Sequence, residues 1–239
     1  MPNGIAAPLG HSSFWLRHSF VIRVWSLVIF KPVQETKSSP LLILISAPSG
    51  GGKTTLCQQL LAARPDMTRA ITSTTRAPRP GERDGVDYYF FTEAEFQRRQ
   101  QEGAFIEHAT VFGRSYGLLR SELLDKLHTG QDVLLNVDVQ GAGTVRQRAQ
   151  AEPELRRALV SVFLTPPSIH VLAERLQKRN ADPPEEIQRR LGVARQELAQ
   201  WSEFDYLLIS STIPEDLRRM LTIVEAEKMR AARATAPEF

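Results

Sequence analysis

The residues Ala47-Pro48-Ser49-Gly50-Gly51-Gly52-Lys53-Thr54 have the order of a phosphate-binding loop, with Ala in place of the usual first Gly. Glycines let successive main-chain N–H groups turn inward on an anion. Lys53 would reach the β- and γ-phosphates and stabilise the charge that moves between them, while the Thr54 hydroxyl would face Mg²⁺. A helix expected from Lys53 to Arg64 would point its positive end at the same place. We therefore expect ATP to lie against Ala47, Pro48, Ser49, Gly50, Gly51, Gly52, Lys53, Thr54 and Thr55, with Lys53 as a catalytic residue.

A triphosphate site leaves the acceptor open, and the stretch Thr72 to Phe90 (TSTTRAPRPGERDGVDYYF) bears on it. Arg76 and Arg79 alternate with Pro78 and Pro80, which hold the backbone extended and allow two guanidinium forks to converge on one phosphate. Tyr88 follows a Gly-bounded turn and adds a hydroxyl donor.

With the phosphate loop and the STTRxPRxGE pattern (Ser73 to Glu82) in place, the chain resembles the guanylate kinases from about Leu41 to Ala231. The resemblance implies a P-loop enzyme that phosphorylates GMP, and dGMP as well, at the expense of ATP. By the same resemblance Arg76, Arg79, Tyr88 and Tyr116 would hold the GMP phosphate, and Thr72 and Glu107 would read the base. Glu107 suits that role, because a carboxylate accepts from the N1–H and 2-amino groups of guanine together, and adenine has neither donor there. Asp138, at the end of the strand-like run Val133 to Asp138, matches an acidic position near the acceptor nucleotide and metal. Arg179 and Arg190, in the Arg-rich stretch Leu172 to Leu191, match two lid arginines that swing over the phosphates on closure and stabilise charge in transfer.

Four positions depart from the family pattern: Ala47 in the loop, Leu118 where Ser or Thr usually touches the base, Asn136 for an acidic residue, and Ser210 for Asn on the adenine side. Two other functions compete. A related kinase could use an acceptor such as a ribose bisphosphate, but a sugar gives Glu107 no base to read. A non-catalytic guanylate-kinase-like interaction module would typically lack a working phosphate loop, whereas Lys53 and Thr54 are present.

The elements that must position these groups follow from hydrophobic pattern. Apolar runs at Leu41 to Ser46, Val133 to Val137, Val160 to Leu164 and Tyr206 to Ile209 alternate with helical stretches, including Pro214 to Ala231. The expected fold is α/β, a three-layer P-loop kinase core with a parallel sheet. Inserted into the core (41–71, 123–174 and 194–231) would be a GMP-binding subdomain at 72–122 and a helical lid at 175–193.

Composition sets the wider limits. The chain has 239 residues, of which 42% are hydrophobic, and carries 30 basic against 27 acidic residues. That balance points to anionic small molecules rather than nucleic acid. The one cysteine, Cys57, excludes an intrachain disulfide and suits a reducing, cytoplasmic setting. The histidines have none of the short spacings of zinc sites. Residues 1–40 read as a leader outside the fold: Met1 to Gln34 lacks any acidic residue, and Arg17, His18 and Arg23 break its apolar part, so no stable membrane association is expected. A monomer and a homodimer are both compatible with the sequence.

Overall fold

Leu42–Ser46 forms strand β1, buried along its whole length. An apolar run without polar alternation needs cover on both faces, and it has it. Leu42 and Leu44 face one core cluster, and Ile43 and Ile45 face another with Leu41. The computed structural model describes residues 38–111, 113–179 and 184–235, all within one compact unit, Thr36–Phe239.

After β1 come helix α1 (Lys53–Ala63), strands β2 (Met67–Arg69), β3 (Ser73–Thr74) and β4 (Tyr89–Phe90), and helix α2 (Glu93–Gln101). Strands β5 (Phe105–Val111) and β6 (Arg114–Leu119) lead into α3 (Arg120–His128), β7 (Asp132–Asn136), α4 (Val139–Ala151) and α5 (Pro153–Ala158). The chain continues through β8 (Leu159–Thr165), α6 (Ile169–Arg179), α7 (Pro184–Leu198), β9 (Tyr206–Ile209) and α8 (Ile213–Lys228).

The main sheet has the order β2-β7-β1-β8-β9, every neighbouring pair parallel. The expected strands are all present, and β2 is an addition: three residues are too few for a periodic signal. Because β1 and β7 are adjacent and parallel, the loops at their carboxyl ends open side by side, where ligands of open α/β sheets bind.

The inserted segment forms a second sheet, order β4-β3-β6-β5. Phe96 of α2 stacks on Phe105 with ring centroids 4.4 Å apart, in a small core shared with Leu119. Glu122 of α3 joins this sheet to the main body, its carboxylate accepting from Ile71 N–H at 2.9 Å and from the Tyr89 hydroxyl at 2.8 Å.

Helices α6 and α7 share a core of Leu172, Leu176, Leu191 and Ala194. Helix α7 runs on to Leu198, past the expected lid boundary at 193. Contacts with the domain also begin before the expected boundary at Pro40: Ser38 bridges to Ala234, and Ser39 N–H donates to Arg233 O at 2.9 Å. Residues 1–37, most of the expected leader, lie outside the described part. Among the described residues no helix is long and apolar enough to cross a membrane.

Candidate active site

Between β1 and α1 the chain turns through Gly50 and Gly52 with φ of 84° and 97°, a region that only glycine enters without strain. Gly51 is required for space, since a Cβ there would stand 2.9 Å from both Pro48 O and Ala47 Cβ. Ala47 itself is buried in the core, so its methyl is accommodated. The residues from Ala47 to Thr54 line a cavity of about 260 Å³ together with Asp138 and Glu197.

Lys53 donates from Nζ to Val137 O at 2.6 Å, which holds its side chain across the mouth of β7. Burial lowers its pKa, opposed by the charge of Asp138 and, more weakly, by Cys57 and Glu197. Asp138 caps α4, its Oδ1 accepting from Gly141 N–H at 2.7 Å. Thr55 turns to a neighbouring cavity of about 350 Å³, shared with Leu164, Arg175, Ser210 and Asp216. There Ser210 donates to Asp216 Oδ2 at 2.7 Å.

Asp138 also has Glu107 for a neighbour. A Cβ on Gly141 would lie 3.3 Å from Asp138 Oδ1 and 3.5 Å from Glu107 Oε2, so both carboxylates border the same turn of α4. Burial, and secondarily the charge of Asp138, push the Glu107 carboxyl up to about 7. Arg76, Tyr88 and Tyr116 come together nearby: the Arg76 guanidinium lies 5.4 Å from the Tyr88 ring centroid, and the two tyrosine rings meet edge to face at 6.4 Å. Glu82 holds Arg76 with two hydrogen bonds from Nη2, at 2.9 and 3.0 Å. It also accepts from Arg79 N–H at 2.7 Å. The Arg79 side chain is exposed on the same turn, and Thr72, half-buried, accepts at its carbonyl from Tyr89 N–H at 3.1 Å.

A glycine-rich cradle thus shares Asp138 with the surroundings of a half-buried carboxylate, and the small sheet that bears this carboxylate also carries a cluster of one arginine and two tyrosines. The family model described as guanylate kinase matches residues 39–227. The chain belongs to the guanylate kinase family. It is 43% identical over 189 residues to a guanylate kinase of Coxiella burnetii, covering 79% of this chain and 88% of that one. With a guanylate kinase of Ruegeria pomeroyi the identity is 41% over 190 residues, covering 80% and 87%. The crystal structure of guanylate kinase from Anaplasma phagocytophilum superposes with a TM-score of 0.63 at 33% identity, covering 84% of this chain and 93% of that one.

Within this guanylate kinase fold the departures from the family pattern take on definite surroundings. Leu118 pairs with Glu107 in the β5–β6 ladder, yet its side chain is fully buried in the main core cluster. It is a packing residue, which corrects the expectation that it lies at a base edge. Asn136 ends β7 and is exposed. Cys57 is buried, and burial pushes its thiol up to about 12, which leaves it no nucleophilic role. Arg190 lies half-buried on α7, while the side chain of Arg179, at the end of α6, falls outside the described part.

Three functional candidates were absent from the sequence reading. Arg175 donates from Nη1 to Gly51 O at 3.4 Å, Glu197 accepts from Ser49 N–H at 3.1 Å, and Glu82 fixes Arg76. Arg175 and Glu197 sit on amphipathic helices rich in charge, where nothing in the spacing separates a solvated residue from one that turns inward.

Proposed function

We propose that this chain transfers the γ-phosphoryl group of ATP to GMP, giving ADP and GDP, with dGMP as a second acceptor. The observation that carries the acceptor is Glu107, a half-buried carboxylate that borders the same turn of α4 as Asp138, which itself lines the phosphate cradle. Guanine offers two adjacent donors to such a carboxylate, and adenine presents none at that edge. Thr72 supplies a further contact to the base.

In the transfer a phosphate oxygen of GMP attacks the γ-phosphorus, and the bond from that phosphorus to the β,γ-bridging oxygen breaks. ADP leaves with the electron pair. Arg76, Arg79, Tyr88 and Tyr116 hold the acceptor phosphate in line, and Lys53 follows the migrating charge. Such transfers depend on positioning and electrostatics rather than covalent chemistry. Arg179 and Arg190 complete the charge set over the phosphates, and water is kept from competing with GMP.

The donor set fits Mg²⁺. Thr54 lines the cradle with a hydroxyl, Asp138 is close by, and among the described residues no cluster of three or more metal-ligating side chains would hold an ion without the nucleotide. Mg²⁺ takes oxygen ligands and usually relies on substrate phosphates for several of them. When bound there it would neutralise phosphate charge. A cytoplasmic setting agrees with the single thiol.

A coupled ADP-release assay with ATP and each of GMP, AMP, CMP and UMP tests the assignment. GMP should be the preferred acceptor by a wide margin. Equal rates with AMP would overturn the role of Glu107, and no turnover with any of the four would remove the kinase function.

A further inference from the structure

The phosphate loop is gripped from outside by the pair of helices that follows β8. Leu176 of α6 packs so closely on Gly50 that a Cβ there would stand 2.9 Å from Leu176 Cδ2. Arg175, next to it, reaches Gly51 O at 3.4 Å. From α7, Glu197 Oε2 accepts the Ser49 N–H at 3.1 Å. Three consecutive loop residues are thus held by one helical pair.

The Glu197 contact is chemically the odd one. Its carboxylate borders the cradle in company with Asp138, where an incoming triphosphate brings more negative charge. Burial disfavours its ionised form, the Ser49 N–H partly offsets this, and the charges of Asp138 and Lys53 act in opposite directions. A neutral or apolar side chain would avoid the repulsion, but an apolar one would leave Ser49 N–H without its side-chain acceptor.

Position along α7 gives the contact a consequence. Arg190 and Glu197 are seven residues apart, two helical turns, and so project from nearly the same side. Ala194 lies between them in the core shared with α6. Fixing Glu197 on the loop therefore fixes where the Arg190 side of α7 stands with respect to the phosphates.

We propose that Glu197 is a positioning residue for phosphoryl transfer: its side-chain oxygen ties α7 to the phosphate loop through Ser49 N–H and sets the stance of Arg190. The inference rests on the kinase function proposed above. What matters is the length and the acceptor oxygen, since the charge by itself opposes the substrate.

Two substitutions separate these properties. Glu197→Gln keeps the length and a carbonyl acceptor but loses the charge. Glu197→Asp keeps the charge but is one methylene short. The Gln enzyme should keep kcat within about threefold of the parent, and the Asp enzyme should lose on the order of 100-fold, the scale of a displacement of about 1 Å at a transfer site. KM for ATP and GMP should move far less than kcat, and melting temperatures should stay together.

Glu197→Ala should resemble Asp, and if the Ala protein does not fold, the order of Gln and Asp still decides. Asp active and Gln impaired would show that charge is what counts and would overturn the proposal. Both active, or both equally impaired, would overturn it as well. An inactive parent enzyme with every nucleoside monophosphate is a different failure, that of the kinase function itself.

Discussion

The Lys53 ammonium donates to the main-chain oxygen of Val137 at 2.6 Å, so the residue that serves the phosphate loop is anchored on the neighbouring strand end. The bond joins the first residue of α1 to the residue that follows β7, across the crevice at the carboxyl ends of β1 and β7. It also keeps a desolvated cation near the cradle, where burial strengthens its action on phosphate charge.

Lys53→Ala should lower kcat by about 100- to 1000-fold, the usual loss on removing one preorganised donor to developing charge. The fold should persist, since Lys53 is not a member of the core cluster that holds Leu56, Cys57 and Leu60. Steady-state rates with ATP and GMP, set beside circular dichroism, check both parts. Near-parental turnover would end the assignment of Lys53.

Glu82 grips Arg76 with both carboxylate oxygens and accepts from Arg79 N–H. The role proposed for Arg76 is to bind the acceptor phosphate, and a guanidinium already oriented loses less freedom on binding. Glu82→Ala should therefore raise KM for GMP by about tenfold, leaving KM for ATP and kcat nearly unchanged. An equal rise in both KM values would show that the turn supports the whole cleft instead.

How much of this was legible in the sequence depends on whether the chemistry is local. The phosphate loop was legible because its function lies in backbone conformation, and glycines at 50 to 52 announce it. The central strands were legible because burial on both faces leaves an unbroken apolar run. Glu197 and Arg175 were not, since each turns inward only because α6 and α7 pack together and bring one side of each helix onto the loop. Leu118 misled because its place at the base came only from the family pattern, whereas here it pairs with Glu107 beside a shift in the ladder register between Phe105 and Glu107. Ile106, in that irregular stretch, and Leu118 both join the main core.

Leu118→Ser then becomes a stability experiment. Removing a fully buried leucine side chain costs about 2–5 kcal/mol in truncations of this kind, and a buried hydroxyl without a partner adds to the loss. Urea unfolding should show a lower midpoint at an unchanged slope. The ratio of GMP to AMP activity, measured at a temperature where the variant is folded, should not improve. A stable variant with sharper preference for GMP would put Leu118 back at the base.

Glu107 gives the last prediction, in which ionisation links stability to recognition. Burial and the charge of Asp138 raise its pKa from 4.5 to about 7. Between those values the unfolded chain has lost the proton and the folded chain still holds it. The folded state binds more protons there, so this group's contribution to stability is full below pH 4.5 and is lost as pH rises toward 7. Glu107→Gln, which has no proton to lose, should be free of that decline. Recognition runs the opposite way, because two guanine donors need the ionised carboxylate. KM for GMP should fall as pH is raised from about 6 to 8, as the carboxyl releases its proton. In Glu107→Gln the same profile should be flat and the preference for GMP over AMP smaller, since an amide can accept one of the donors but opposes the other with its own N–H groups. Thermal melts and KM profiles on the same two proteins test both halves. If KM for GMP is independent of pH in the parent, or the Gln enzyme keeps the full preference for GMP, the base is read elsewhere.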